Sequence, residues 1–468
     1  MNEDDLLMQR LLAIAWLTWK AAFRFRLFLV IAVLLLAAVV GLPILIKDDG
    51  TARGFTQILL TYTLSVITAL LGLSTLWLAC GTLARDIEEC QIQIVATKPI
   101  ARWQIWLGKW LGIMSLNAAL LALSGAGVYG LLQWRAAKLP AAEQTVLREQ
   151  VLVARGSAKQ PNNEAAIEAE TEQILQARLK NSPVDKADVP EVRRQIRELV
   201  RADFQLVPPG YSRKWQIDLG FAKNFLHDKP LQLRVKFNSA QKSPSGTFVA
   251  LWQVGVPGKT PYQRLEPMSL APDTFHEFQI PANLFDDQGV LTVDFVNPND
   301  TSLLFPLADG MEVLYPEGGF ALNFARGLGI IFCWMALLAA LGLMAASFLT
   351  FPVAAFFSLA VVVMMLSSGT LAEAVAAGTV VGSNGETGVM GHSPVDLVLI
   401  PLFKAFLTVI NLVKVFSPVD ALSSGRSISW TELGTAFGQI VLLLGGIIGG
   451  IGILLFNRRE LATAQGNQ

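Results

Sequence analysis

The residues best suited to chemistry lie in "RDIEECQIQIVATKPIARWQIWLGKW", residues 85 to 110. Asp86, Glu88 and Glu89 open the stretch. Lys98 and Pro99 follow a mixed middle, and Arg102 and Lys109 return among Trp103, Trp106 and Trp110. Carboxylates favour a helix N-terminus, Pro99 ends that element at Lys98, and Trp with basic residues holds a chain at a membrane interface. The pattern suits electrostatic docking of a partner rather than bond making. A solvated loop with interfacial Trp is the alternative reading.

Elsewhere the sequence offers little for catalysis. His227, His276 and His392 are scattered, and Cys80, Cys90 and Cys333 fall in or beside apolar runs without metal-site spacing. "VGVPGKT" ends like a phosphate-binding loop, but the glycine required five positions before Gly258 is Gln253. A turn is expected there. Glu373 is the one acid inside an apolar run, and its distance from the turn at 350–352 puts it near the membrane surface. No enzyme activity, cofactor or metal is expected.

The elements flanking the docking stretch must therefore position it. The chain has 468 residues, 53% hydrophobic and 16% charged, which is too apolar for an ordinary soluble protein. Its net charge of zero argues against nucleic acid as a partner. Runs able to cross ~30 Å of hydrocarbon are residues 27–45, 58–83, 105–132, 328–348, 353–376 and 437–456. The expected fold is an α-helical polytopic membrane protein with six transmembrane helices.

Orientation follows from the basic residues of the short connections. Arg10, Lys20, Arg24, Arg26, Arg85, Lys98, Arg102, Lys109, Arg458 and Arg459 outnumber Lys47, Arg53, Lys404, Lys414 and Arg426 across the membrane. Both termini are then cytoplasmic and residues 135–322 external. The acidic start, with no small-residue cleavage pattern, gives no sign of a cleavable signal peptide. The first 22 residues, punctuated by bases and Trp, read as an interfacial helix. Residues 397–416 read as an external re-entrant or interfacial helix, because a crossing there would put the closing "NRRE" outside.

The external segment changes texture part-way. Residues 135–210 are rich in Ala, Glu, Gln and Arg and read as solvated helices. Over 211–320, "KWQIDLG", "LQLRVKFN", "TFVALWQV", "TFHEFQI" and "VLTVDFV" alternate between turn residues. They predict a jelly-roll-like β-sandwich, making the external domain α+β. The chain divides into 1–134, 135–210, 211–320 and 321–468. In the last span, "GGIIGGIG" offers two small-xxx-small pairs for close helix packing, Gly445 with Gly449 and Gly446 with Gly450.

Together these features resemble the ABC-transporter permeases of the type-2 exporter class, in the branch linked by name to multicopper-enzyme maturation. "AAFRFRLFLVIAVLLL" is similar to the family's elbow helix and first span. "RDIEE…VATKPIARWQIWLGKWLG" is similar to its acid-rich start, its Pro-Ile/Val-x-Arg and its Gly-Lys, and "VFSPVDALSSG…ILLFNRREL" to its external turn and closing basic motif. The resemblance covers the membrane part and leaves 135–320 without a counterpart, while "CQIQIVAT" departs from the family's usual Gly-Thr and Leu-rich run.

The resemblance implies that Asp86, Glu88, Glu89, Lys98, Pro99 and Arg102 belong to a coupling helix seated on a separate ATPase subunit. It also implies a second permease subunit, contact with membrane lipid, and a place in a bacterial inner membrane. The activity implied is coupling of ATP hydrolysis to outward movement or extraction of a substrate. Two alternatives stay open: a non-transporting complex that passes motion to its external domain, and a membrane-anchored binding receptor.

Overall fold

The computed structural model describes residues 3–24, 26–45, 51–89, 100–161, 163–181, 189–239, 241, 243–380 and 394–459. They divide into two compact units, Met1–Ala154 with Gly319–Gln468, and Arg155–Gly318. The first is helical and the second rich in β-sheet.

The helical unit contains α1 (Glu3–Arg24), α2 (Arg26–Leu45), α3 (Ala52–Glu88), α4 (Arg102–Ala136), α5 (Phe320–Ala346), α6 (Phe351–Leu366), α7 (Ser368–Ala377), α8 (Asp396–Lys414), α9 (Pro418–Ser423), α10 (Trp430–Ala436) and α11 (Gly446–Arg458). A π-helical segment, Phe437–Gly445, joins the last two. Leu64, Leu71 and Leu83 of α3, Ile113 and Val128 of α4, and Ile331 and Leu343 of α5 share one core. Lipid gives apolar helices no hydrophobic reason to associate, so close approach at small residues must hold them. Gly342 of α5 supplies such a point, because a Cβ there would lie 2.7 Å from the Ala79 Cβ.

Five helical stretches have the length and apolarity to cross a membrane: Gly54–Glu88, Arg102–Ala136, Phe320–Ala346, Asp396–Ser423 and Trp430–Arg458. The pair α6 and α7, bent by 61°, makes a sixth if counted as one span. The helix at the first expected span, α2, has 20 residues, about 30 Å at 1.5 Å per residue. One difference from the sequence reading follows. Residues 397–416, expected to stay at the surface, fall within a stretch that qualifies, because α8 alone is a 19-residue, mostly apolar helix.

The same unit has a polar clasp. Asn323 of α5 is fully buried. Its Nδ2 donates to the Arg426 carbonyl at 2.7 Å and its Oδ1 accepts from the Ile428 N–H at 2.7 Å. Beside it, Leu422 of α9 occupies the hollow at Gly327, where a Cβ would lie 2.5 Å from the Leu422 side chain.

The β unit is built from β1 (Val153–Lys159), β2 (Ser212–Asp218), β3 (Leu231–Val235), β4 (Phe248–Val254), β5 (Met268–Leu270), β6 (His276–Ile280), β7 (Val290–Val296) and β8 (Met311–Gly319). One sheet has the order β1-β8-β3-β6. A second runs β2-β7-β4, with β4 also pairing with β5 and with the short strand Gln263–Arg264, and the short strands Leu206–Val207, Leu303–Leu304 and Asn238–Ser239 form a third. Strand alternation turns Trp215, Trp252, Val293 and Phe295 of one sheet toward Leu231, Leu233, Ile280 and Val313 of the other, in a single core. Trp252 lies 4.7 Å from Phe295 and 5.9 Å from Phe278 between ring centroids. Each such fully buried apolar side chain stabilises the fold by about 2 kcal/mol. All five alternating runs named above form strands.

The expected boundary at 211 is wrong for one strand. β1 belongs to the sheet, although 135–210 was read as helical. Its "VARGSAK" carries Ala and Gly where a half-buried strand shows large apolar residues, so no hydrophobic alternation marks it. Gly156 is needed because a Cβ would sit 2.2 Å from the Tyr315 ring. Charges then fasten the strand: Arg155 donates to Gln232 at 2.6 Å and Glu277 at 2.7 Å, and Ser157 to Glu312 at 2.8 Å. The expected helices are present as Glu164–Asn181 and Val189–Asp203, packed through Ile167, Leu175, Ile196 and Val200.

Candidate functional site: a belt of helix ends

The charged stretch begins in the last turn of α3. Asp86, Glu88 and Glu89 close that helix rather than opening one, which corrects the sequence reading among the described residues. The apolar periodicity of α3 continues through Leu83 and Ile87 and carries the helix past the acids. Carboxylates at a helix C-terminus oppose its dipole, so compensating contacts are required. Asp86 Oδ2 accepts from Lys109 Nζ at 2.6 Å, and the same ammonium donates to the Thr82 carbonyl at 2.8 Å. Glu88 Oε1 accepts from the Phe351 N–H at 2.8 Å, satisfying an amide at the start of α6. The Arg85 guanidinium lies 4.6 Å from the Phe351 ring centroid. Glu89 is exposed as the C-cap residue, its N–H bonded to the Arg85 carbonyl at 2.8 Å.

The return begins at α4. Its first turn is held by Gln104, whose Oε1 accepts from the Ala101 N–H at 3.2 Å. Arg102 Nη1 donates to the carbonyls of Phe456 at 2.9 Å, Asn457 at 2.9 Å and Arg459 at 2.8 Å. A cation that binds terminal carbonyls both satisfies them and complements the dipole. Arg459 in turn reaches the Ala346 and Ser347 carbonyls, at the end of α5, at 3.4 and 3.3 Å. Lys98 and Pro99 lie outside the described residues.

Asp86, Glu88 and Arg102 thus fall in one belt, each bonded to a different partner: α4, α6 and the end of α11. Through them and Arg459, the ends of α3, α4, α5, α6 and α11 are linked. Lys109, Phe351 and Arg459 were not singled out for this role. The only sequence signal was a Lys set between glycines in an apolar run. The belt holds no paired nucleophile and base, and no group of three potential metal ligands occurs among the described residues. Its contacts can pass a displacement from one helix end to the next.

The glycines of the last span behave differently from their expected pairing. A Cβ on Gly449 would meet the Trp106 ring of α4 at 3.0 Å. Gly445 faces the Ile440 carbonyl at 3.3 Å, while Gly446 and Gly450 have nothing within 4 Å. Successive helix residues point about 100° apart, so with Gly449 toward Trp106 its neighbour Gly450 turns away. The residue that shares the seam is Gly452, where a Cβ would lie 3.0 Å from Met344 Cα and 3.1 Å from Trp106 Nε1. A second seam was missed although its four-residue spacing was visible. Gly108 and Gly112 of α4 receive Ile14 and Thr18 of α1, with hypothetical Cβ contacts of 2.8 and 2.7 Å. Trp19 Nε1 also donates to Ser115 Oγ at 2.8 Å.

The "GKT" stretch forms a turn. Lys259 Nζ lies 2.8 Å from Asp286, and Thr260 Oγ1 accepts from the Val256 N–H at 2.7 Å while donating to the Leu284 carbonyl at 3.0 Å. No protein-family model, curated protein or solved structure matches this chain.

Proposed function

We propose that the chain is the membrane-spanning permease subunit of an ATP-binding cassette export system, with residues 85–104 as the surface that receives a separate ATPase subunit. The observation carrying this reading is that Asp86, Glu88 and Arg102, within the stretch, bond respectively to α4, α6 and the end of α11. A push on the stretch would therefore be distributed to α3, α4, α6 and α11 together. The family resemblance of the sequence supports the same reading, with α2, α3, α4, α5, the α6–α7 pair and the α10–α11 stretch as the six spans and residues 397–416 at the external surface. With both termini in the cytoplasm of a bacterial inner membrane, the belt faces the ATPase. A second permease subunit completes the pathway, and the β unit, whose orders β1-β8-β3-β6 and β2-β7-β4-β5 match a jelly roll, is external.

A second reading has its own support. β8 ends at Gly319 and α5 begins at Phe320, with no linker between them. Motion of α5 would pass directly into a strand, as a complex that transmits force without moving a substrate would need.

The test is a photo-crosslinking residue at Glu89, with Phe221, 92% exposed on the β unit, as the control position. In native membranes the expected product is a cross-link from position 89 to a protein that carries a phosphate-binding loop and hydrolyses ATP, absent from position 221. No such adduct at 89, or an equal one at 221, removes the proposal.

A further inference from the structure

We infer that the cleft between α8 and the α10–π segment binds a lipid headgroup bearing an ammonium group. The cleft has a volume of about 700 Å³. Thr408 and Asn411 line it from α8, and Glu432, Thr435 and Gln439 from the other side. On each helix these residues recur at three- or four-residue spacing, so each forms a row along one face.

The chemistry of the rows selects the ligand. The Thr408 hydroxyl already donates to the Lys404 carbonyl at 2.9 Å, and that of Thr435 to the Glu432 carbonyl at 2.9 Å. Their remaining capacity at the cleft is acceptance. Glu432 adds a carboxylate that no ion pair or hydrogen bond engages among the described residues, and none of the lining residues is basic. The Asn411 and Gln439 side chains likewise have no hydrogen-bond partner among the described residues. Such a lining is acceptor-rich and negatively charged, so it favours donors and cations over a bare anion.

The setting points to lipid as the source. Gln439 lies in the apolar segment Phe437–Gly445, and both helices belong to stretches with the length to cross a membrane. Glu432 and Thr435 lie in the first two turns of the stretch Trp430–Arg458, at the end where a headgroup would sit. Leu412, Val415 and Phe416 line the same cleft and offer apolar contact for the start of an acyl chain. The inference does not rest on the ATPase proposal, since binding can be read without nucleotide.

The experiment places the full chain in mixed vesicles of phosphatidylethanolamine and phosphatidylglycerol with identical acyl chains. Retained lipid is then counted by native mass spectrometry. The expected result is about tenfold preferential retention of the amine lipid, the worth of one charge-assisted hydrogen bond. Glu432→Gln should abolish the preference, Thr435→Val should weaken it, and Glu373→Gln, at an exposed acid on α7, should keep it. Equal retention of the two lipids, or a preference untouched by both cleft variants, overturns the inference. Displacement of the bound lipid by free ethanolamine at equal concentration overturns the lipid assignment and leaves a soluble-amine site.

Discussion

Lys109 and Asp86 meet at 2.6 Å with unequal exposure, 7% for the lysine side chain and 31% for the carboxylate. Breaking a buried pair costs most when the charge left behind is the buried one. Asp86→Leu should therefore destabilise the chain more than Lys109→Met, by about 2 kcal/mol after allowance for the exposed carboxylate. The double variant should recover part of the loss. Thermal unfolding of the purified chain in detergent measures all three, and equal losses for the two single variants would exclude the asymmetry.

Packing of the last span can be tested at adjacent glycines. Gly449→Leu and Gly452→Leu should each reduce the yield of monodisperse protein, because overpacking costs about 1–3 kcal/mol. Gly450→Leu and Gly446→Leu, with open space around them, should resemble wild type. A loss at Gly450 as large as that at Gly449 would mean that this face meets a partner chain instead of lipid.

The β unit should reach its full stability as an isolated fragment only when β1 is included. Residues 153–318 should give a cooperative melt with β-type circular dichroism. Residues 211–318 should melt lower or aggregate, since they lack the strand whose Arg155 and Ser157 bind Glu277 and Glu312. Equal midpoints for the two fragments would show that β1 is dispensable.

Acid sensitivity in the β unit should trace to Asp286. The hydrogen bond from Lys259 and those from the Val290 and Gln288 amides hold its carboxyl below the ordinary value of 3.8, against the opposing effect of burial. A depressed folded-state pKa contributes stability above the unfolded value and loses it as pH falls through the folded one. Wild type should thus lose stability on acidification below about pH 4. Asp286→Asn should be weaker at neutral pH and flatter in acid. Superimposable acid limbs would rule out this group as the source.

Much of the fold could be read in the sequence, where pattern and burial coincide. Trp215, Trp252 and Phe295 stand at alternating positions because each faces the core, and their strands were evident. β1 was not, since its inward positions are Ala and Gly, chosen by the space that Tyr315 leaves. The charged stretch at 85–110 was conspicuous, but the partners of its charges were not. Phe351 meets Glu88 through a backbone amide, and Arg102 binds carbonyls, groups that any sequence could provide. Glycine spacing showed that close packing was available but not which face would use it; that depended on where Trp106 stands.

The clasp at Asn323 sets a stricter requirement than shape alone. Its amide behaves as a peptide group turned sideways, giving one proton to Arg426 and taking one from Ile428. Aspartate has nearly the same outline but no proton to give, so an oxygen would face the Arg426 carbonyl inside a closed interior. Leucine would leave both backbone groups unanswered. At this position a single hydrogen atom, invisible in size or hydropathy, separates the residue that can fasten 426–428 to α5 from its nearest look-alike.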